Sequence, residues 1–312
     1  MRALLLLLAS GCAIEHGLNK TPDVPPGDDT GSPPADTDVD DSCAGFAPRA
    51  VEAPPIDATC EAEPEVGTFN PIVEWLWDTN PLVPGYEQVM ATPVVGNLTD
   101  DDGDGDIDAD DIPDIAFTAY AGGNYGSAGV LTVISGDGAG THWSLTSAGG
   151  HGFYGSGGVA IADVDADGSP DVCAAATTAG VVCLEADGTF KWQGGTAVDA
   201  YGYPSVADLD ADGRPEVIWG REIIDSGGRL VATGAYGTGS NGYASTSFAV
   251  DVDGDGFLEV VAGNAVYERD GTALWYDGGP DGWPAVGDFD GDGAPEIVRV
   301  SNGYVYLSDG DG

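Results

Sequence analysis

One acidic pattern, Asp-x-Asp-x-Asp-Gly-x-x-Asp/Glu, occurs four times in register along this chain, beginning at Asp163, Asp208, Asp251 and Asp288. The flanks repeat with it: VAIADVDADGSPDV from Val159 to Val172 returns as PSVADLDADGRPEV from Pro204 to Val217, then as SFAVDVDGDGFLEV and PAVGDFDGDGAPEI. Carboxylates at alternate positions of a tight loop converge on one point, and glycine at the sixth position permits the backbone turn that lets them do so. Packed that closely without a cation, they would repel and raise one another's pKa. A hard cation such as Ca²⁺ takes roughly six to eight oxygens and suits such a loop. The candidate ligands are Asp163, Asp165, Asp167 and Asp171; Asp208, Asp210, Asp212 and Glu216; Asp251, Asp253, Asp255 and Glu259; and Asp288, Asp290, Asp292 and Glu296.

An expanded copy comes first. Asn97 aligns with the first ligand and Asp114 with the last, and the insertion between them reads DDDGDGDIDADD from Asp100 to Asp111. This stretch matches an EF-hand calcium loop at most ligand positions, with Asp100, Asp102, Asp104, Asp106 and Asp111 as candidate ligands. Its last ligand is Asp rather than Glu, and no flanking helices are evident, so the alternative is a solvated acidic run.

The units are roughly 40 residues long, and each acidic loop is flanked by β-type runs followed by a second hairpin that often ends in tryptophan, as in DGTFKW ending at Trp192 and DGTALW ending at Trp275. Sustained helical periodicity is lacking, so helices should be scarce. About four short strands per unit is the period of a propeller blade, and the fold class expected is all-β.

Charge points the same way. Lys and Arg number 9 against 53 Asp and Glu, a formal charge of −44, which repels nucleic acid and anionic lipid surfaces. Nearly half of those acids stand in the loops, which bound cations explain better than a halophilic surface does.

Arg2, the apolar run Ala3 to Ala9, and Ser10-Gly11-Cys12 resemble the lipobox of bacterial lipoproteins. That resemblance implies a signal peptide over 1–12, lipidation at Cys12 and anchoring at the outer membrane or cell surface, with the membrane touched by the lipid alone. The alternative is an ordinary cleaved signal. Residues 13–60 form a low-complexity linker, rich in Pro, Asp, Gly and Thr, that cannot bury enough surface to fold; its disordered tether has a reach of roughly 30 Å. Cys43 and Cys60 bracket its end, and Cys173 and Cys183 lie symmetrically about Thr178, opposite each other in a hairpin. Two disulfides are expected, in an oxidising compartment.

The acidic loops resemble the FG-GAP and VCBS repeats of integrin α heads and bacterial surface proteins, over about residues 90–312. The resemblance implies a β-propeller domain over 61–312, with each loop joining the first two strands of a blade and the calcium ion rigidifying the turn. Five repeats are visible. The chain reads as a truncated member of a seven-bladed family, the alternative being a five-bladed ring closed by the segment from Val73 to Trp77. The expected function is a monomeric, non-enzymatic surface module for adhesion or recognition of an extracellular protein or glycan. The alternatives are the scaffold of a polysaccharide-active lyase or hydrolase, and a purely structural envelope protein.

Other signals are weaker. Gly150-His-Gly-Phe-Tyr-Gly155 fits G-x-G-x-x-G but is followed by a strand-like run rather than a helix. His142 and His151 lack a spaced ligand partner and read as exposed loop histidines, while Trp143, Trp192 and Trp275 read as packing anchors.

Overall fold

The computed structural model describes residues 72–309 apart from Val198 and Asp292. The signal sequence, the 13–60 linker, Cys12, Cys43, Cys60 and the ligand Asp292 lie outside the described residues. Among the described residues the fold is all-β, without a helix, in five antiparallel sheets.

The first sheet contains β1 (Val94–Gly96), β2 (Asp114–Ala119), β3 (Ala128–Ser135), β4 (Thr141–Leu145), β5 (Ser147–Ala148) and β6 (His151–Tyr154). The second is β7 (Val159–Ala162), β8 (Asp171–Ala175), β9 (Val181–Glu185) and β10 (Phe190–Gly194). The third is β11 (Ser205–Ala207), β12 (Glu216–Trp219), β13 (Glu222–Ile224) and β14 (Leu230–Thr233). The fourth is β15 (Phe248–Val250), β16 (Glu259–Ala262), β17 (Ala265–Tyr267) and β18 (Ala273–Tyr276). The fifth is β19 (Trp283–Gly287), β20 (Glu296–Ser301) and β21 (Tyr304–Ser308). Sheets two to five are simple meanders in chain order.

Consecutive sheets pack face to face. Val133 and Phe153 of the first meet Val172 and Leu184 of the second; Val181 and Cys183 of the second meet Val217 and Ile224 of the third. Ile218 meets Val260 between the third and fourth sheets, and Val261 meets Ile297 between the fourth and fifth. The middle strands are therefore covered on both faces. β8, β12 and β16 are buried throughout, which is why they read as apolar runs rather than as alternating patterns. First strands adjoin as well: β1 lies beside β7, β7 beside β11, and β11 beside β15.

Tryptophans lock sheet to sheet. The Trp143 indole N–H donates to the Ala186 carbonyl of the second sheet's turn at 2.8 Å. Trp75, ahead of the first sheet, donates to the Gly136 carbonyl at 3.1 Å in the matching turn. Each ring lies over a turn glycine: Trp75 over Gly138, Trp143 over Gly188 and Trp192 over Gly228, whose φ angles of 79°, 84° and 82° and lack of room for a Cβ both demand glycine. The Val73 to Trp77 segment forms no strand here; Trp75 and Trp77 pack on Phe117, Ala119, Val130 and Ile134 of the first sheet. Among the described residues the fifth sheet ends at β21, where Val305 and Leu307 are 72% and 61% exposed, while their counterparts in β9 and β17 are buried.

Cys173 and Cys183 face each other across β8 and β9, 4.1 Å apart at Cα, and form a disulfide buried between the second and third sheets. The strand expected at Val159 to Ala162 is β7, and the preceding glycine-rich segment is β6, which leaves no helix to receive a dinucleotide.

Candidate metal centres

Each acidic loop joins the first strand of a sheet to the second, and its last carboxylate opens the second strand in a buried position. Asp114, Asp171, Glu216, Glu259 and Glu296 share that place. In all five, one carboxylate oxygen accepts the backbone N–H of the residue after the first ligand position: Leu98 at 3.0 Å, Val164 at 3.1 Å, Leu209 at 2.9 Å, Val252 at 2.9 Å and Phe289 at 2.5 Å. This bond clamps the two ends of the loop together.

The first ligand organises the turn. Asp163 accepts the N–H groups of Asp167 and Gly168, and Asp208 those of Asp212 and Gly213. Asp251 accepts those of Gly254 and Gly256, and Asp288 those of Gly291 and Gly293. Both patterns need a left-handed residue at the fourth and sixth positions. The sixth is always glycine, as at Gly168 (φ 92°), whereas the fourth is Gly254 or Gly291 in two loops and Ala166 (φ 58°) or Ala211 (φ 55°) in the others.

Ligand oxygens within 4.8 Å of one another are brought together from Asp163, Asp165 and Asp171; from Asp208, Asp210 and Asp212; from Asp251, Asp253 and Asp255; and from Asp288, Asp290 and Glu296. Asp167, Glu216 and Glu259 stand outside those groups. Asp167 accepts the Ser169 N–H at 2.8 Å, and the two glutamates make the clamp. In the expanded copy the group is Asp100, Asp102 and Asp111. Asp104 and Asp106 are not part of it. Asp100 accepts from Gly103 and Gly105 as Asp251 does from Gly254 and Gly256, and Asp111 draws in the N–H groups of Asp101 and Asp108. Asn97 donates its side-chain amide to the Asp108 carbonyl. Asp114 makes the clamp, accepts the Thr99 hydroxyl at 3.0 Å and lies 2.8 Å from His142 Nε2. The insertion thus moves the acidic group outward and leaves the original frame as scaffold.

The electrostatics favour a cation. Burial pushes the Glu259 carboxyl up to about 7, helped by the charges of Asp253, Glu268 and Asp251. Glu216 is raised by burial and by Asp210, Asp208 and Asp212. Asp106 is raised to about 6 by its hydrogen bond to Asp104 and by that neighbour's charge. Asp165 Oδ1 and Asp210 Oδ1 are buried oxygens without a hydrogen-bond partner, an arrangement that costs free energy unless an ion meets it. All the donors are hard oxygens, the set that suits calcium and does not suit zinc.

Three basic side chains reach these loops. Arg269 Nη2 lies 2.6 Å from Asp210 Oδ2 of the third loop. The other two, His142 and Lys191, the sequence reading missed. In each of the first four sheets the fourth strand in chain order carries a β-bulge one residue before the position held by Trp143, Trp192, Ala232 and Trp275. The bulged residues are His142, Lys191, Val231 and Leu274. His142 meets Asp114 Oδ1, and Lys191 meets Asp171 Oδ1, from strands rather than from loops. His151 is likewise on a strand, with Nδ1 2.9 Å from Thr178 Oγ1. The signal for both missed residues was their place just before the repeated tryptophan.

No family model matches the chain, and no curated protein matches it. Among solved structures it is similar to the V. cholerae biofilm matrix protein Bap1, with 28% sequence identity and a TM-score of 0.68 over 77% of this chain. The match spans 41% of Bap1. Weaker likenesses are to the exotype rhamnogalacturonan lyase YesX, with 17% identity, a TM-score of 0.44 and coverage of 64% of this chain and 43% of that one. The Bacillus licheniformis rhamnogalacturonan lyase PL11 gives 18% identity, a TM-score of 0.46 and coverage of 70% and 45%.

Proposed function

We propose that this chain is a calcium-stabilised β-propeller of the FG-GAP/VCBS kind, exported and lipid-anchored. In this reading it serves outside the cell as a monomeric, non-enzymatic module for adhesion or recognition of a protein or glycan. The observation that carries the reading is the convergence of acidic oxygens at the same turn of every sheet. Stacked sheets with their first strands side by side support a radial arrangement of blades. The partial similarity to a biofilm matrix protein supports an extracellular role in a matrix.

Calcium, when bound, supplies positive charge that the clustered carboxylates otherwise lack. Asp163, Asp165 and Asp171 would hold it in the second sheet, Asp208, Asp210 and Asp212 in the third, Asp251, Asp253 and Asp255 in the fourth, and Asp288, Asp290 and Glu296 in the fifth. Asp100, Asp102 and Asp111 would do so in the insertion. The chain's own contribution is the clamp and the left-handed turn, which present the oxygens in a fixed geometry. Rigid hairpins then hold the connecting loops as a steady surface for a large ligand.

The test is to present the full chain to glycan and surface-protein arrays in millimolar calcium and in chelator. Calcium-dependent retention of a defined glycan or protein is the expected result. Turnover of a polysaccharide, or a melting temperature indifferent to calcium, would overturn the proposal.

A further inference from the structure

Lys191 is the bulged residue of β10, and a bulge re-aims a side chain that a regular strand would point elsewhere. Its ammonium group reaches back to the acidic loop of its own sheet. Nζ lies 2.7 Å from Asp165 Oδ2, 3.0 Å from Asp171 Oδ1 and 3.1 Å from Glu185 Oε2, and the lysine side chain is only 9% exposed. Asp171 and Glu185 are register partners on β8 and β9, so the third contact is built into the ladder. Asp165 and Asp171 are also two of the three residues whose oxygens converge in this loop. With Asp171 Oδ2 held by the Val164 N–H, Lys191 takes the oxygen that remains.

The fourth sheet provides the internal comparison. It has the corresponding carboxylates Asp253, Glu259 and Glu268, yet its bulged residue is Leu274, which carries no charge.

We propose that Lys191 is a built-in counter-ion of the Asp163 loop, holding that turn together without a divalent ion and competing with calcium for Asp165 and Asp171. The inference rests on the calcium reading of the other loops. It makes the turn of the second sheet less dependent on calcium than that of the fourth. The physical basis is substitution: an ammonium with three donors satisfies three carboxylates, and a divalent ion must displace it to use the same oxygens.

The test is a reciprocal exchange in the full chain, Lys191→Leu and Leu274→Lys, with calcium stoichiometry by isothermal titration and thermal melts in chelator and in calcium. Lys191→Leu is expected to melt lower in chelator, to recover in calcium, and to bind a further ion or tighten its weakest site by roughly tenfold. Leu274→Lys is expected to melt higher in chelator and to lose one tight ion. A Lys191→Leu protein that loses an ion, or whose calcium titration matches wild type, overturns the proposal while leaving the calcium reading intact. Wild type and both variants all failing to bind calcium would instead sink the calcium reading and the proposal with it. Should Lys191→Leu fail to fold, Leu274→Lys decides: an unchanged calcium titration there counts against the competition.

Discussion

Val252 and Glu259 meet across an acidic turn, the Val252 N–H donating to Glu259 Oε2 at 2.9 Å, with the glutamate only 2% exposed. The contact places an acidic group where water cannot solvate it and where Asp251 and Asp253 stand close by. The loop is well made for an ion and poorly made to be without one.

Stability without calcium should therefore fall as pH rises. Burial, with neighbouring charges, holds Glu259 up to about 7, against an ordinary value of 4.5; burial holds Asp171 up to about 7 against 3.8, offset only in part by Lys191. Between those values the folded protein binds more protons than the unfolded chain. The stability that these two groups contribute is thus present in full below the ordinary carboxylate range and is lost as pH passes about 7. Melts in chelator at about pH 5 and about pH 8 should show the decline, and saturating calcium should flatten it by binding the ionised form. A chelated protein that gains stability over this range would contradict the assignment.

Glu259→Gln separates the clamp from the charge. Glutamine keeps an acceptor for Val252 and removes the repulsion, so in chelator at about pH 8 stability should change by no more than about 0.5 kcal/mol or rise. In calcium the same variant should lose part of the stabilisation that the ion confers. Paired denaturant titrations measure both.

Gly168 has φ of 92° and open space where a Cβ would stand, so alanine there meets backbone strain alone. Gly168→Ala should cost about 1–2 kcal/mol in chemical denaturation. Ala166→Gly, at φ 58°, should be close to neutral, because relief of strain and added chain entropy oppose each other.

Removing the Cys173–Cys183 bridge by a double alanine substitution should cost about 2–4 kcal/mol, since a buried link between β8 and β9 is lost together with two packed side chains. The loss should be similar in chelator and in calcium, because neither cysteine contributes to a loop. A calcium-dependent difference would show coupling between the bridge and the ion sites.

Trp143→Phe keeps the ring over Gly188 and removes the bond to the Ala186 carbonyl, at a cost of about 0.5–1.5 kcal/mol. Gly188→Ala should cost more, since it adds a left-handed alanine and a Cβ 3.2 Å from the Trp143 ring.

Much of the candidate site was legible because its partners lie close in sequence. The first ligand, the left-handed glycine and the clamping carboxylate sit within one short turn, so spacing alone carries their geometry. The Cys173–Cys183 pair was legible for the same reason, being symmetrical about a hairpin tip. The expanded copy was read less well. Asn97 and Asp114 align with the other copies, yet the insertion between them is long enough to build its own turn, and the converging oxygens come from Asp100, Asp102 and Asp111.

The amino-acid order alone determined an all-β chain of repeated hairpins with acidic turns, since strand runs, turn glycines and alternating carboxylates are local properties. Tertiary structure alone decided which turn receives an ammonium, because the reach of Lys191 depends on a bulge two strands away. It also decided that Trp75 stands on the first sheet as Trp143 stands on the second. Both outcomes come from how strands pair and sheets stack; the repeat marks the position before each tryptophan, but not what a side chain there meets.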